Sequence, residues 1–173
     1  MKYLLEGEET ERLIFRPVQK DDFEWWLNFS QHPETSKYFD FGGNLTPFEL
    51  TTLWFEKVFD RYKNDQSGLN ALIEKSSGLR VGQCGILIQE VDNITEFEIG
   101  YSLDPDFWGK GYATEAAIKC REYAFENDFA DSVISIIHPD NIKSQNVALR
   151  NGMTFDKKTV FRDMRVNVYR INK

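Results

Sequence analysis

The sequence predicts a mixed α/β sheet, mostly antiparallel, of about seven strands flanked by about four helices. Three observations carry that expectation. Hydrophobic spacing is helical over residues 46–65 and then switches to period two over 68–103. Within that stretch Phe97, Ile99, Tyr101 and Leu103 alternate strictly with Glu98, Gly100 and Ser102. Further on, Ser132–Ile137 is an almost continuous β-branched, apolar run, which marks a central strand covered on both faces and parallel to its neighbour. At 173 residues the chain suits one domain over 1–173, and 41% hydrophobic with 14% aromatic residues supplies a core and excludes intrinsic disorder.

The elements follow in order. Arg12–Arg16 reads as the first strand, ended by Pro17, which cannot donate to a ladder. Asp21 and Asp22 precede Phe23, Trp25, Trp26 and Leu27 as acidic residues open a helix. Thr46 suits an N-cap, with Pro47 at the first helical position and Glu49 at the third. Leu50, Leu53, Trp54, Val58 and Phe59 then keep helical spacing until Lys63-Asn64-Asp65. Residues 68–75, 80–90 and 93–103 form three strands joined by short turns, an antiparallel meander. Ala113, Ala116, Ala117, Cys120 and Ala124 give the helix over 111–127 one narrow face of small residues that can lie close to a sheet. After the buried run, Pro139-Asp140-Asn141 leads into a short helix stopped by Gly152, and 154–161 and 164–171 close the chain as a hairpin around Arg162-Asp163.

Charge and composition narrow the function. With 21 basic and 28 acidic residues the formal charge is −7, the wrong sign for a partner whose main feature is a phosphate backbone. That field would draw cationic small molecules, though ordinary solubility explains it as well. No stretch approaches the roughly 20 apolar residues of a membrane helix, and the start MKYLLEGEETERL is acidic rather than signal-like, so a cytoplasmic location is expected. His32 and His138 have no cysteine or carboxylate cluster around them, so no metal is expected. Cys84 and Cys120 read as buried thiols.

One segment carries chemistry. After Leu103 ends a strand, Pro105 breaks the ladder and Gly109-Lys110-Gly111 opens a helix. The first N–H groups of a helix have no partner within it and lie at its positive end, so a turn without side-chain bulk lets a phosphate reach them. Lys110 adds a cation. The same glycines would equally serve a tight turn and nothing more.

The runs Glu98–Leu103, Phe107-Trp108-Gly109-Lys110-Gly111-Tyr112-Ala113-Thr114-Glu115-Ala116, Asn141-Ile142-Lys143-Ser144 and Asn151-Gly152-Met153 together resemble the GNAT superfamily of N-acetyltransferases, and within it the RimJ/RimL-type branch. The resemblance covers about residues 9–172 in element order and is strongest over 96–153. It implies a splayed sheet in which the strands ending near Leu103 and His138 diverge, with acetyl-CoA as cosubstrate and its pyrophosphate on the backbone of Gly109, Lys110, Gly111, Tyr112, Ala113 and Thr114. Trp108 stands where the family pattern usually has Gln or Arg, while Gly111 and Ala113 match it. Backbone groups around Ser102 and Leu103 would pair with the pantetheine arm and polarise the thioester carbonyl. Asn141 and Ser144 match the segment beside the thiol end of the cofactor, although Asp140, Asn141 and Ser144 also suit plain helix capping. Many relatives place a Tyr general acid where this chain has Ala148, which leaves Ser144 as the nearest acid by analogy. A homodimer is common among relatives.

Glu98 is the candidate base, which would take the acceptor amine's proton if burial raises its pKa; the alternative is a strand carboxylate paired with a neighbouring Lys or Arg. His138 is a weaker candidate than a structural imidazole. Cys120 points into the helix–sheet contact, which argues for direct transfer rather than a covalent acetyl-enzyme. The acceptor would be a primary amine, on a protein N-terminus or a small molecule, and Glu34, Tyr38, Phe39, Asp40 and Phe41 in the stretch 31–43 are candidates to line its pocket. A catalytically idle acyl-CoA-binding sensor of the same fold is the alternative that Ala148 permits.

Overall fold

The computed structural model describes residues 2–35, 37–38 and 44–173. Its elements are β1 (Leu13–Pro17), α1 (Phe23–Gln31), α2 (Pro47–Lys63), β2 (Ser67–Glu74), β3 (Arg80–Val91), β4 (Ile94–Leu103), α3 (Tyr112–Glu126), β5 (Ser132–Ile137), α4 (Ile142–Arg150), β6 (Thr154–Phe161) and β7 (Met164–Asn172), with single 3-10 turns before α1 and after β4. All seven strands join one sheet in the order β1-β2-β3-β4-β5-β7-β6. Every pairing is antiparallel except β4 with β5. The mixed α/β fold is the one expected from sequence.

Local chemistry starts and stops the helices as anticipated. Thr46 and Glu49 close a reciprocal capping box at the head of α2, the Thr46 N–H donating to Glu49 Oε2 at 2.8 Å. At the end of α4, Gly152 takes φ +84°, and the Met153 N–H donates back to the Ala148 carbonyl at 3.1 Å, the Schellman closure that glycine allows without strain. Asp22 departs from its expected part. It does not cap α1 with its side chain; it is fully buried, accepts from Arg16 at 2.7 Å on both oxygens and from the Gln19 N–H at 2.8 Å, and pairs with Arg80 at 2.7 Å. An acidic residue at a helix start is here the tie between β1 and α1.

The two sheet faces carry separate cores. On one, α1 and α2 bury Trp26, Phe29, Phe55 and Val58 against Val18 and Ala71. On the other, α3 lays Ala116, Ala117, Cys120 and Ala124, all 0% exposed, against Leu72, Ile86, Ile99 and Val133. Small side chains let α3 approach the sheet closely. No helix among the described residues is long and apolar enough to cross a membrane.

Candidate active site

β4 and β5 meet as a ladder at one register pair, Glu98 with Ile134, and then part. Two contacts fix the fork. Ser135 Oγ donates to the Ile99 carbonyl at 2.8 Å where the strands separate. Behind it Arg170 of β7 reaches over β5, donating to Glu96 at 2.6 and 3.0 Å and to Ser132 Oγ at 2.8 Å. One end of the strand pair is clamped and the other is open, and a cleft of about 1500 Å³ fills the gap.

The glycine turn forms one wall. Gly109 has φ +74° and Gly111 φ +86°, conformations that favour glycine. Gly111 is the N-cap of α3 and has no side chain to cap it, so the N–H groups of Tyr112, Ala113 and Thr114 stand at the positive end of the helix without a side-chain acceptor. A Cβ on Gly109 would meet nothing within 4 Å, so the outer side of the turn is open to an anion. Two residues that sequence reasoning passed over hold the turn in place. Arg12 donates through Nη1 to the Lys110 carbonyl at 2.9 Å and through Nε to Glu115 Oε2 at 2.6 Å, while Thr10 Oγ1 donates to Glu115 Oε1 at 2.5 Å. Burial pushes the Glu115 carboxyl up, but Thr10 and Arg12 outweigh it and hold the group below the usual carboxylate range. Only a fold that sets the N-terminal segment beside α3 brings these residues together.

Several predicted contacts take a different form. The Lys110 ammonium lies 4.8 Å over the Phe107 ring. The Tyr112 side chain is buried and its hydroxyl donates to Glu74, which leaves its backbone N–H to serve the turn. The Trp108 indole N–H donates to the Leu103 carbonyl at 2.7 Å, and Lys143 Nζ lies 4.1 Å over its ring. Together with the Ser135 bond to Ile99, this puts the backbone of Ile99, Tyr101 and Leu103 on the β5 side of β4. Ser102 alternates with them and its carbonyl faces Gly82 of β3. The backbone groups turned to the cleft are therefore those of Tyr101 and Leu103, and Ser102 contributes a side chain on the lining instead.

On α4, Asn141 is the N-cap, its Oδ1 accepting from the Ser144 N–H at 3.1 Å. The helix-capping alternative is thus realised, with the Asn141 Nδ2 not used in the cap. Ser144 Oγ lies 3.2 Å from the Tyr101 hydroxyl, which itself donates to the Ser144 carbonyl at 2.8 Å. Burial pushes the Tyr101 phenol well up, so it stays protonated. The alternation places Tyr101 only as an apolar side chain, since it reports the face and not the hydroxyl at the end of the ring.

Glu98 lies on the α2 face of the fork, 9% exposed. Its Oε2 accepts from Gln89 Nε2 at 2.7 Å. Burial pushes the carboxyl up, and the Gln89 amide, Arg162, Arg61 and the Ile136 N–H offset this only in part. Gln89 Oε1 in turn accepts from Arg61 Nη2 at 3.1 Å and from Arg162 Nη2 at 3.3 Å. Nothing local in the sequence announces this group: Arg61 reads as the end of a helix and Arg162 as a hairpin turn.

Glu34 stands exposed at the cleft rim, and the Tyr38 hydroxyl donates to the Asp140 carbonyl at 3.2 Å. Phe39, Asp40 and Phe41 lie outside the described residues. His138 Nδ1 accepts from the Asp140 N–H at 3.2 Å, a structural contact. Cys84 and Cys120 are free and buried, their sulfurs 3.5 Å apart beneath α3, and burial pushes the Cys120 thiol up. No group of three or more metal-ligating side chains occurs among the described residues.

The family model "Acetyltransferase (GNAT) domain" matches residues 12–154. The chain is similar to an uncharacterised N-acetyltransferase, p20, of Bacillus licheniformis, 29% identical over 157 residues, 89% of this chain and 84% of the relative. Its fold matches an acetyltransferase from Agrobacterium tumefaciens with a TM-score of 0.81 at 29% identity, covering 99% of this chain and 96% of the other. It also matches RimL, a ribosomal-protein α-N-acetyltransferase in complex with coenzyme A, with a TM-score of 0.74 at 16% identity over 96% and 97% of the two chains. A model match over residues 12–154, most of the chain, places this protein in the GNAT acetyltransferase family.

Proposed function

We propose that the protein is a RimJ/RimL-type N-acetyltransferase that moves an acetyl group from acetyl-CoA to a primary amine by direct attack in a ternary complex. The observation that carries this reading is the arrangement of one cleft, with uncapped helix N–H groups on one wall and a buried carboxylate at its fork. The residues fit the cosubstrate: an open glycine turn at a helix N-terminus suits a pyrophosphate, and the backbone edge of β4 past the fork suits an amide-bearing arm. Coenzyme A in the related RimL fold supports the same choice.

Bound acetyl-CoA would supply a thioester, an acyl carbon joined to a good leaving group. Glu98, ionised, takes the proton that the amine must lose as its nitrogen bonds to that carbon. The Tyr101 and Leu103 backbone, facing the open side of β4, orients the carbonyl. As the carbon–sulfur bond breaks, the Ser144 hydroxyl, which otherwise donates to the Tyr101 oxygen, gives its proton to the departing sulfur and recovers one from solvent. Neither buried cysteine reaches the cleft lining, in keeping with transfer that passes through no acetyl-enzyme.

A thermal-shift titration with acetyl-CoA and CoA, coupled to thiol release across a panel of amines, tests the reading, because a ligand of the native state raises Tm by mass action. Stabilisation with thiol release is expected. Stabilisation with no release from any amine would favour the idle acyl-CoA sensor that Ala148 allows, and no shift would overturn the cosubstrate assignment.

A further inference from the structure

The acceptor end of the cleft is cationic, against the formal charge of −7 on the chain as a whole. Lys57 and Arg61 lie one helical turn apart on α2, and Arg162 comes from the turn between β6 and β7. The guanidiniums of Arg61 and Arg162 converge on a single neutral acceptor, Gln89 Oε1, at 3.1 and 3.3 Å. The other side-chain bonds of Arg61 go to the carbonyls of Ile88 at 3.1 Å and Gln66 at 3.4 Å, and Arg162 otherwise lies 4.9 Å over the Phe161 ring. Among the described residues neither arginine is in an ion pair. The carboxylate facing both is Glu98, which can offset one charge, and burial resists its ionisation. Burial lowers the Lys57 pKa, and Arg162 and Arg61 lower it further.

Like charges gathered on one wall of a cleft, in a protein with acidic residues to spare, are stabilised when an anion joins them. Planar guanidiniums suit the oxygens of a carboxylate or a phosphate. We infer that the acceptor amine carries such an acidic group, which docks between Arg61 and Arg162 while its nitrogen lies at Glu98. The inference rests on the acetyl-transfer reading for the role of the bound molecule and on the basic cluster for its charge. Gln89 links the two positions, its Nε2 on Glu98 and its Oε1 on the arginines, so amine and acid are separated by about one carboxamide. A compact amino acid meets that spacing. The positive field also lowers the pKa of an incoming ammonium, which raises the fraction of free, nucleophilic amine.

The test reads anion binding apart from turnover. Wild type, Arg162→Gln and Arg61→Gln, each saturated with CoA to fill the glycine turn, are titrated with sodium phosphate, N-acetylglycine and N-acetylglycine amide while Tm is followed. Arg162 is exposed in a hairpin turn, so its variant should retain the fold even if Arg61→Gln does not. Phosphate or N-acetylglycine should raise the wild-type Tm and shift Arg162→Gln by less than half as much, with the amide inert; which of the two acids acts identifies phosphate or carboxylate. Equal shifts in wild type and Arg162→Gln, or none with either acid, would overturn the inference. Failure of CoA itself to bind would refute acetyl transfer and still leave the difference between wild type and Arg162→Gln to decide the anion site. In steady state, an amine with its acid free should exceed the same amine with the acid amidated about tenfold in kcat/KM. Arg162→Gln should bring that ratio near one while the KM for acetyl-CoA stays constant.

Discussion

Replacing Glu98 by Gln keeps the side chain's shape and its hydrogen bond to Gln89, because an amide oxygen can accept where the carboxylate did. What is lost is the base. Removal of a positioned general base typically costs 10² to 10⁴ in rate. His138 Nδ1 is engaged by the Asp140 N–H, and Glu34 stands exposed at the rim, so neither of these two stands in for Glu98. A fall of at least about 100-fold in kcat/KM, roughly 2.7 kcal/mol of transition-state stabilisation, is therefore expected. The pH profile gives a second signature. Wild-type kcat/KM should rise with pH as Glu98 ionises, with a midpoint above the ordinary carboxylate range because burial raises its pKa, and that limb should vanish in the variant. Stability should move the other way. A carboxyl whose pKa is raised on folding favours the protonated native state, so its contribution is greatest at low pH and is lost as pH rises from about 4.3 through the folded value. Glu98→Gln lacks that loss, and its Tm should equal or exceed the wild-type value at pH 8. Thiol-release kinetics from pH 5 to 9, with thermal melts over the same range, provide both readouts. A fall of less than threefold, or an acid limb that survives in Glu98→Gln, would refute the assignment of Glu98 as base.

Other expectations follow from particular contacts. Gly111→Ala puts a side chain at φ +86° with its Cβ 3.4 Å from Arg12 Nη2, which should cost about 1–2 kcal/mol in chemical denaturation and weaken acetyl-CoA binding in titration calorimetry, and Gly109→Ala, whose Cβ meets no protein atom within 4 Å, should cost a similar amount for its φ of +74° and weaken acetyl-CoA binding because the methyl enters the open side of the turn. Arg170→Met strands Glu96, whose side chain is 9% exposed, and should destabilise by about 3 kcal/mol in urea while raising the KM for acetyl-CoA, since the clamp behind the fork is gone. Burial pushes Asp22 up, yet Arg16, Gln19 and Arg80 more than reverse it and its pKa is lowered on folding. Its stabilisation is thus present above about pH 4 and lost below it, and acid melts of Asp22→Asn should lack that part of the transition. Cys84 and Cys120, buried under α3, should react with a thiol reagent such as DTNB only after unfolding.

Element types and order were legible because they depend on local rules: period-two alternation over 97–103, the Thr46 capping box, Gly152 after α4 and the β-branched run at 132–137. The glycine turn was legible for the same reason, as the backbone conformation at 109 and 111 restricts the residue type there. Partners distant along the chain were not. Arg12 with Glu115, Glu96 with Arg170, and Tyr101 with Ser144 are pairs far apart in sequence, and no periodicity announces them. The net charge of −7 suits ordinary solubility or a cationic ligand, yet the cleft lining includes Lys57, Arg61 and Arg162, because charge acts through its local placement and screening rather than its sum. By itself the sequence determined the strands, the helices and an open helix N-terminus, features written in neighbouring residues. Where β4 and β5 stop pairing, and which side chains meet at that fork, only the tertiary structure decided, since register and burial are fixed by the packing of the whole sheet.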